Sequence, residues 1–154
     1  MSYMLAFFMD LRDSNKLLWG RMILTKNGEL VDTYIATSGS ISNQDRDETN
    51  LRARGAIPSC LDANIKNYWV NPKGINMPNK PGINGMFYPI LPFAITVNGA
   101  ARSDFGIHAD TNVPGSAGCI VLPPEGNGWK VFQQRMASFV NEGITRIPLQ
   151  VVYC

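Results

Sequence analysis

His108 is the only histidine in the chain, and eleven positions after it stands Cys119, set in Ser116-Ala117-Gly118-Cys119. An imidazole and a thiol are the minimum equipment for covalent acyl transfer: the ring takes the thiol proton and the thiolate attacks a carbonyl. A free thiol ionises near a pKa of about 8.5, so closeness to His108 is expected to supply thiolate near neutrality. Either the Asp110 carboxylate or the Ala109 carbonyl is available to orient the ring through its other nitrogen. Gly115 and Gly118 let backbone approach a substrate, so the N–H groups of Gly118 and Cys119 are candidate oxyanion donors, worth about 3 to 4 kcal/mol each. Each element also has a plainer reading. A cysteine before Ile120-Val121-Leu122 is by itself a small core residue, and a histidine at a strand end is a hydrogen-bonded one. The upstream glycines and Ser116 tip the balance toward catalysis, because an apolar core thiol needs none of them.

Strands must position this pair. Tyr3 to Asp10, Lys16 to Thr25 and Glu29 to Thr37 read as a meander, with turns at Arg12-Asp13-Ser14-Asn15 and Lys26-Asn27-Gly28. Ser38 to Pro92 is polar and rich in Gly, Pro and Asn, and is expected to be mostly loop, with short strands near Tyr68 to Val70 and Met86 to Tyr88. A loop of that length in a compact domain has work to do, and it is expected to serve as a substrate-facing flap. Phe93 to Asn98 reads as a strand, Asn98-Gly99 as a turn, and Phe105 to His108 as the return strand that ends at the imidazole. Ile120 to Leu122 begins at the thiol and stops at Pro123-Pro124. Trp129, Phe132, Met136, Phe139 and Val140 recur at helical spacing between Asn127 and Asn141, with Asn127 as cap and Gly143 as terminator. Ile147 to Tyr153 closes the chain as a strand. Neither a repeat nor a linker is visible, so residues 1–154 read as one catalytic domain.

Composition narrows the function classes. With 154 residues, 45% hydrophobic and 17% charged, the chain can bury one core but not two. A net charge of +2 with no basic stripe argues against nucleic acid. The apolar run Met4 to Met9 ends at Asp10, has no basic residues before it and no small-residue cleavage site, and reads as a strand rather than an export signal. No stretch is long enough to span a bilayer. Cys60, Cys119 and Cys154 match no zinc spacing, so no metal is expected, and three reduced thiols are expected where the protein is made. A Cys60–Cys154 disulfide after export is the alternative. Arg52 and Arg54, beside Gly55, are candidates to meet a substrate carboxylate, and Ser116 and Arg102 are further substrate-binding candidates.

His108 to Leu122 resembles the catalytic segment of the L,D-transpeptidase (YkuD-like) domain, in which a strand histidine precedes a Ser-x-Gly-Cys nucleophile loop. The short spacing and Ser116-Ala117-Gly118-Cys119-Ile120 are closest to the branch found in type VI secretion effectors and some phage proteins. The resemblance covers the second half of the chain. It implies a mainly β, β-sandwich-like fold with one helix in the C-terminal half and long loops. It also implies Cys119 as nucleophile, His108 as base, the Ala109 carbonyl as the orienting group and Gly118 at the oxyanion. The implied activity is peptidoglycan-modifying acyl transfer at an L,D bond of a stem peptide, as L,D-transpeptidase or L,D-carboxypeptidase, without metal or organic cofactor. Where many members carry a second histidine in the motif and an arginine after it, this chain has Ala117 and Val121, and where Gly or Ser often follows the base it has Ala109, which leaves the acceptor open between water and an amine. A substrate outside the cytoplasmic membrane and no export signal imply synthesis in the cytoplasm and delivery to the periplasm or cell wall by a secretion machine or phage, with an immunity protein as a further partner. The rival readings are a non-catalytic peptidoglycan-binding module and an unrelated cysteine peptidase or amidase.

Overall fold

The computed structural model describes residues 2–45, 55–111 and 114–154. The described chain is mainly β, with a large mixed sheet and a single helix among the described residues. In chain order the strands are β1 (Tyr3–Met9), β2 (Gly20–Lys26), β3 (Glu29–Ser40), β4 (Tyr68–Val70), β5 (Ile75–Met77), β6 (Gly85–Leu91), β7 (Ala94–Val97), β8 (Ala100–Ser103), β9 (Gly106–Ala109) and β10 (Gly115–Leu122). The helix α1 (Gly128–Asn141) and the last strand β11 (Ile147–Tyr153) follow.

The large sheet runs β4-β11-β1-β2-β3-β10-β9-β6-β5, and a further pairing of β4 with β6 closes it into a ring with β5 hung outside. β7 and β8 form a separate hairpin. The β2–β3 turn needs only Asn27-Gly28, whose positive φ angles of 52° and 84° match the twist of a two-residue hairpin. Alternation sends Leu5 and Phe7 of β1, Met22 and Leu24 of β2, and Leu149 and Val151 of β11 into one core. Fully burying each such side chain contributes about 1.5 to 3 kcal/mol.

α1 packs on strands from around the ring through aromatic edges. Phe132 meets Tyr34 of β3 and Tyr88 of β6, and Phe139 meets Tyr3 of β1. Phe132, Met136 and Phe139 are the buried stripe, whereas Val140 is 43% exposed because it lies one residue, about 100°, off that stripe. Asn127 occupies the N-cap position without a side-chain cap bond. At the other end, Gly143 N–H bonds to the Val140 carbonyl and Ile144 N–H to the Phe139 carbonyl, the paired closure that satisfies the last helical carbonyls.

Three regions depart from the sequence expectation. Residues 16–19 do not open β2, because side chains take the backbone groups of Leu18: its N–H bonds to Gln44 and its carbonyl accepts from Thr37 and Gln44. The return strand after Asn98-Gly99 is β8, not Phe105 to His108. Asp104, at φ 66°, turns the chain out of that hairpin so that β9 joins the ring. The third departure is the long region from Ser38 to Pro92. β3 extends to Ser40, β4, β5 and the longer β6 occupy its later part, and residues 55–60 are buried in the core instead of forming a flap. Ala56 and Ile57 are fully buried, and their backbone groups are met from the surrounding elements. Arg102 donates to the Ala56 carbonyl, Tyr153 Oη–H to the Ile57 carbonyl, and Ser38 Oγ receives the Ile57 N–H. Small and apolar residues fill the ring there, and Pro58, which has no N–H to pair, gives its carbonyl to Tyr68 Oη–H at 2.7 Å.

Candidate active site

The chemistry-bearing residues come from β9 and β10, which pair in parallel with Ile107 opposite Ile120 and His108 opposite Val121. Ile107, Ile120 and Leu122 face the core, so His108 and Val121 face away from it. Alternation puts Cys119 on that same outward side. The nucleophile segment also leaves the regular ladder: between Gly115 opposite Ser40 and Ile120 opposite Ser38, β10 advances five residues while β3 moves two. Residues 116–119 therefore arch out of the sheet, and the thiol sits at the end of the arch.

Ser116 staples the arch. Its Oγ donates to the Cys119 carbonyl at 2.5 Å and accepts the N–H of Gly39 at 3.2 Å and of Gly118 at 3.4 Å. Although Ser116 lines the cavity, its hydroxyl is spent on the loop, so its part in substrate binding is corrected to loop support. The Gly115 end is tied down by the Asp110 carboxylate, which accepts the Gly115 N–H at 3.0 Å. Gly118 has φ 121°, a conformation open to glycine and closed to most side chains.

His108 is 7% exposed, and its Nδ1 lies 2.8 Å from the Ala109 carbonyl. A carbonyl only accepts, so Nδ1 carries the proton of the neutral ring and Nε2 keeps its lone pair. Of the two orienting groups weighed from sequence, the Ala109 carbonyl makes the contact, while Asp110 acts on the ring only through its charge. Burial pulls the imidazole pKa below its ordinary value, opposed by the Ala109 hydrogen bond and the Asp110 charge. Phe87 lies beside the ring, centroid to centroid 6.1 Å.

A cavity of about 310 Å³ collects His108, Cys119, Ser116 and Ala117 on one wall, with Pro81, Gly82 and Ile83 supplying another. Cys119 Sγ–H donates to the Asp104 carbonyl at 3.3 Å, and the Gly106 N–H bonds to the sulfur. Burial pushes this thiol up to about 12, the Asp104 charge adds to the rise, and the Gly106 N–H and the Arg102 charge oppose it. The expectation of resting thiolate at neutral pH is corrected accordingly. Burial favours the protonated thiol and the neutral imidazole, and the two groups line one cavity.

The structure does not bring Arg102 to the cavity. It is 1% exposed behind the arch, with its guanidinium on the carbonyls of Gly55 and Ala56, so it cannot also bind a substrate carboxylate. Arg52 and Arg54 lie outside the described residues. Cys60 and Cys154 form no disulfide, the first being buried and the second exposed. Among the described residues, no group of three or more His, Cys, Asp and Glu side chains is arranged to hold a metal ion, and no helix is long and apolar enough to cross a membrane. Sequence reasoning missed the Asp104 carbonyl and Phe87. Pro81, Gly82 and Ile83 belong to the Ser38 to Pro92 region expected to face the substrate, and with Ser40 they are the part of it that lines this cavity. The chain matches no protein-family model and no curated protein sequence.

Proposed function

We propose that the protein is a peptidoglycan-modifying cysteine acyltransferase with a β-sandwich-like L,D-transpeptidase (YkuD-like) fold, acting on stem peptides at an L,D bond. The observation that carries this reading is the Ala109 carbonyl on His108 Nδ1, which leaves a basic Nε2 in a ring that shares one cavity with the Cys119 thiol. Substrate binding turns Sγ from the Asp104 carbonyl toward Nε2. As His108 takes the thiol proton, Sγ bonds to the carbonyl carbon on the L side of the scissile bond and the carbonyl electrons move to oxygen. The Cys119 N–H meets that oxyanion, joined by the Gly118 N–H, whose 3.4 Å bond to Ser116 is long enough to be exchanged easily. Collapse expels the amine of the D residue, which takes its proton from His108 and leaves a thioester on Cys119. Water then gives carboxypeptidase chemistry, and a second peptide amine gives cross-linking or D-amino-acid exchange. A substrate in the cell wall calls for delivery there by a secretion machine or phage, and a producer exposed to such an enzyme calls for an immunity protein.

The neutral resting thiol favours a second reading, a peptidoglycan-binding module without turnover. The two are separated by incubating the protein with a tetrapeptide-stem muropeptide and analysing peptides and products by mass spectrometry. A muropeptide adduct on the peptide containing Cys119, released by hydroxylamine, is the expected result. Binding to sacculi with neither adduct nor product would leave the module, and cleavage of ordinary peptides alone would move the enzyme to another class of amidase.

A further inference from the structure

A buried cation stands directly behind the nucleophile. Arg102 Nη1 donates to the Ala56 carbonyl at 3.2 Å and Nη2 to the Gly55 carbonyl at 3.0 Å, while its guanidinium carbon lies 5.8 Å from the centre of the Phe105 ring. On the opposite side the fit to the arch is close. A methyl group at Gly118 would stand 2.6 Å from Nη2 and 3.7 Å from Cζ. The guanidinium therefore fills the space under Gly118, the residue whose peptide leads into Cys119, and nothing larger than glycine fits above it.

We propose that Arg102 is a positioning residue of this site: it supports the Gly118–Cys119 backbone from beneath and holds a fixed positive charge toward which the thiolate forms when His108 takes its proton. The proposal rests on Cys119 being the nucleophile, and it adds a group that favours ionisation of its thiol from behind the arch. A guanidinium stays protonated at any working pH, so its field does not switch off. Arg102 is 1% exposed, and charges interact more strongly in such surroundings than in solution. The groups that face the sulfur are Asp104, Gly106 N–H, Arg102 and the His108 ring across the cavity, and of these Asp104 opposes ionisation. Arg102 also faces Tyr68 and Tyr153, which burial keeps as neutral phenols. The two carbonyls hold the planar fork in a way that a lysine cannot reproduce fully, but a lysine keeps the charge.

The test is the rate at which iodoacetamide alkylates Cys119 between pH 7 and 10, followed on its own peptide by mass spectrometry; Sγ bonds to carbon and iodide leaves. An opposite charge within about 4 to 6 Å lowers a pKa by about 1 to 3 units. Loss of thiolate is partly offset by the greater nucleophilicity of a more basic sulfur, so Arg102→Gln should slow alkylation about threefold to thirtyfold. Arg102→Lys should stay within about twofold near pH 7 and fall toward Arg102→Gln as pH rises to 10, because a buried ammonium gives up its proton more readily than a guanidinium. A folded Arg102→Gln protein with the wild-type profile overturns the proposal. Should that variant not fold, Cys119→Asp and Cys119→Asn decide the matter with Arg102 intact. The carboxylate variant is expected to be at least as stable as the amide at pH 7, and a less stable Cys119→Asp overturns the charge role. Because no peptidoglycan enters these measurements, a slowed profile without muropeptide turnover would sink the substrate assignment and leave Arg102 standing.

Discussion

Cys60 and Cys119 are held alike in different surroundings. Cys60 receives the Val151 N–H at 3.4 Å and points its proton at the Leu149 carbonyl, and Cys119 receives the Gly106 N–H and points its proton at the Asp104 carbonyl. Burial raises the pKa of both thiols. What separates them is the surroundings: Cys60 is 6% exposed within the core, whereas Cys119 opens on a cavity shared with an imidazole and stands on an arch stapled by Ser116. Hydrogen bonding to a sulfur therefore does not single out the candidate nucleophile. Access, an imidazole lining the same cavity, and a loop that presents the sulfur do.

The contrast is broken most severely by removing the reacting groups. Cys119→Ala and His108→Ala are each expected to lower muropeptide turnover by about 10⁴-fold or more, and the double variant should be scarcely worse, because groups acting as one unit are not additive. Cys60→Ala should keep turnover within about twofold; an inactive yet folded Cys60→Ala protein would reverse the assignment. Next in size is Gly118→Val. It forces a side chain toward Arg102 at a φ that valine resists, with an expected loss of about a hundredfold in turnover and about 1 to 3 kcal/mol in stability, read by muropeptide assay and denaturant melts.

Labelling sharpens the comparison. At pH 7 the exposed Cys154 should react with iodoacetamide at least about tenfold faster than Cys119 in the absence of substrate, since Cys119 is only half-exposed and its pKa is raised. Preferential labelling of Cys119 would contradict the neutral resting pair. Acidity has a smaller effect with a definite sign. Because the folded pKa of His108 lies below its unfolded value, the base stays neutral at pH 6.5 to 7 and the acid limb of kcat/KM should fall below the ordinary histidine range. The same ring contributes stability that is present above the unfolded pKa and declines as pH falls below it, a slope that His108→Gln should remove. Smallest of all, Cys60→Ala should cost about 1 kcal/mol of stability, the scale for deleting one buried heavy atom, as measured by urea denaturation.

The readable parts of this fold were those written locally. Asn27-Gly28 marks its hairpin, Ile147 to Tyr153 alternates cleanly along β11, and the α1 stripe ends where Gly143 closes it. The candidate pair was visible because a single histidine near a Gly-Cys step is rare in itself. Its placement required tertiary facts: the ring that lets residues 55–60 run inward, the carbonyls that draw Arg102 out of solvent, and the burial that keeps both partners neutral. Polar, glycine-rich segments look exposed when read alone, since nothing in them records that Tyr68, Tyr153 and Arg102 will satisfy their carbonyls.

β1 and β11, the first strand of the sheet and the last, lie side by side and run parallel, with Leu5 opposite Leu149 and Met9 opposite Tyr153. Nearly the whole chain separates these partners, so the pairing costs the largest loop-closure entropy in the molecule and places folding at the slow, high-contact-order end of the range for domains this size. During synthesis, β1 has to wait for β11 before its second neighbour exists. Until then Leu5 and Phe7 sit on a strand with one open edge, the kind of surface on which chaperones and aggregation compete. The Cys119 arch is made earlier than β11, yet the frame that supports it closes only when the last strand arrives.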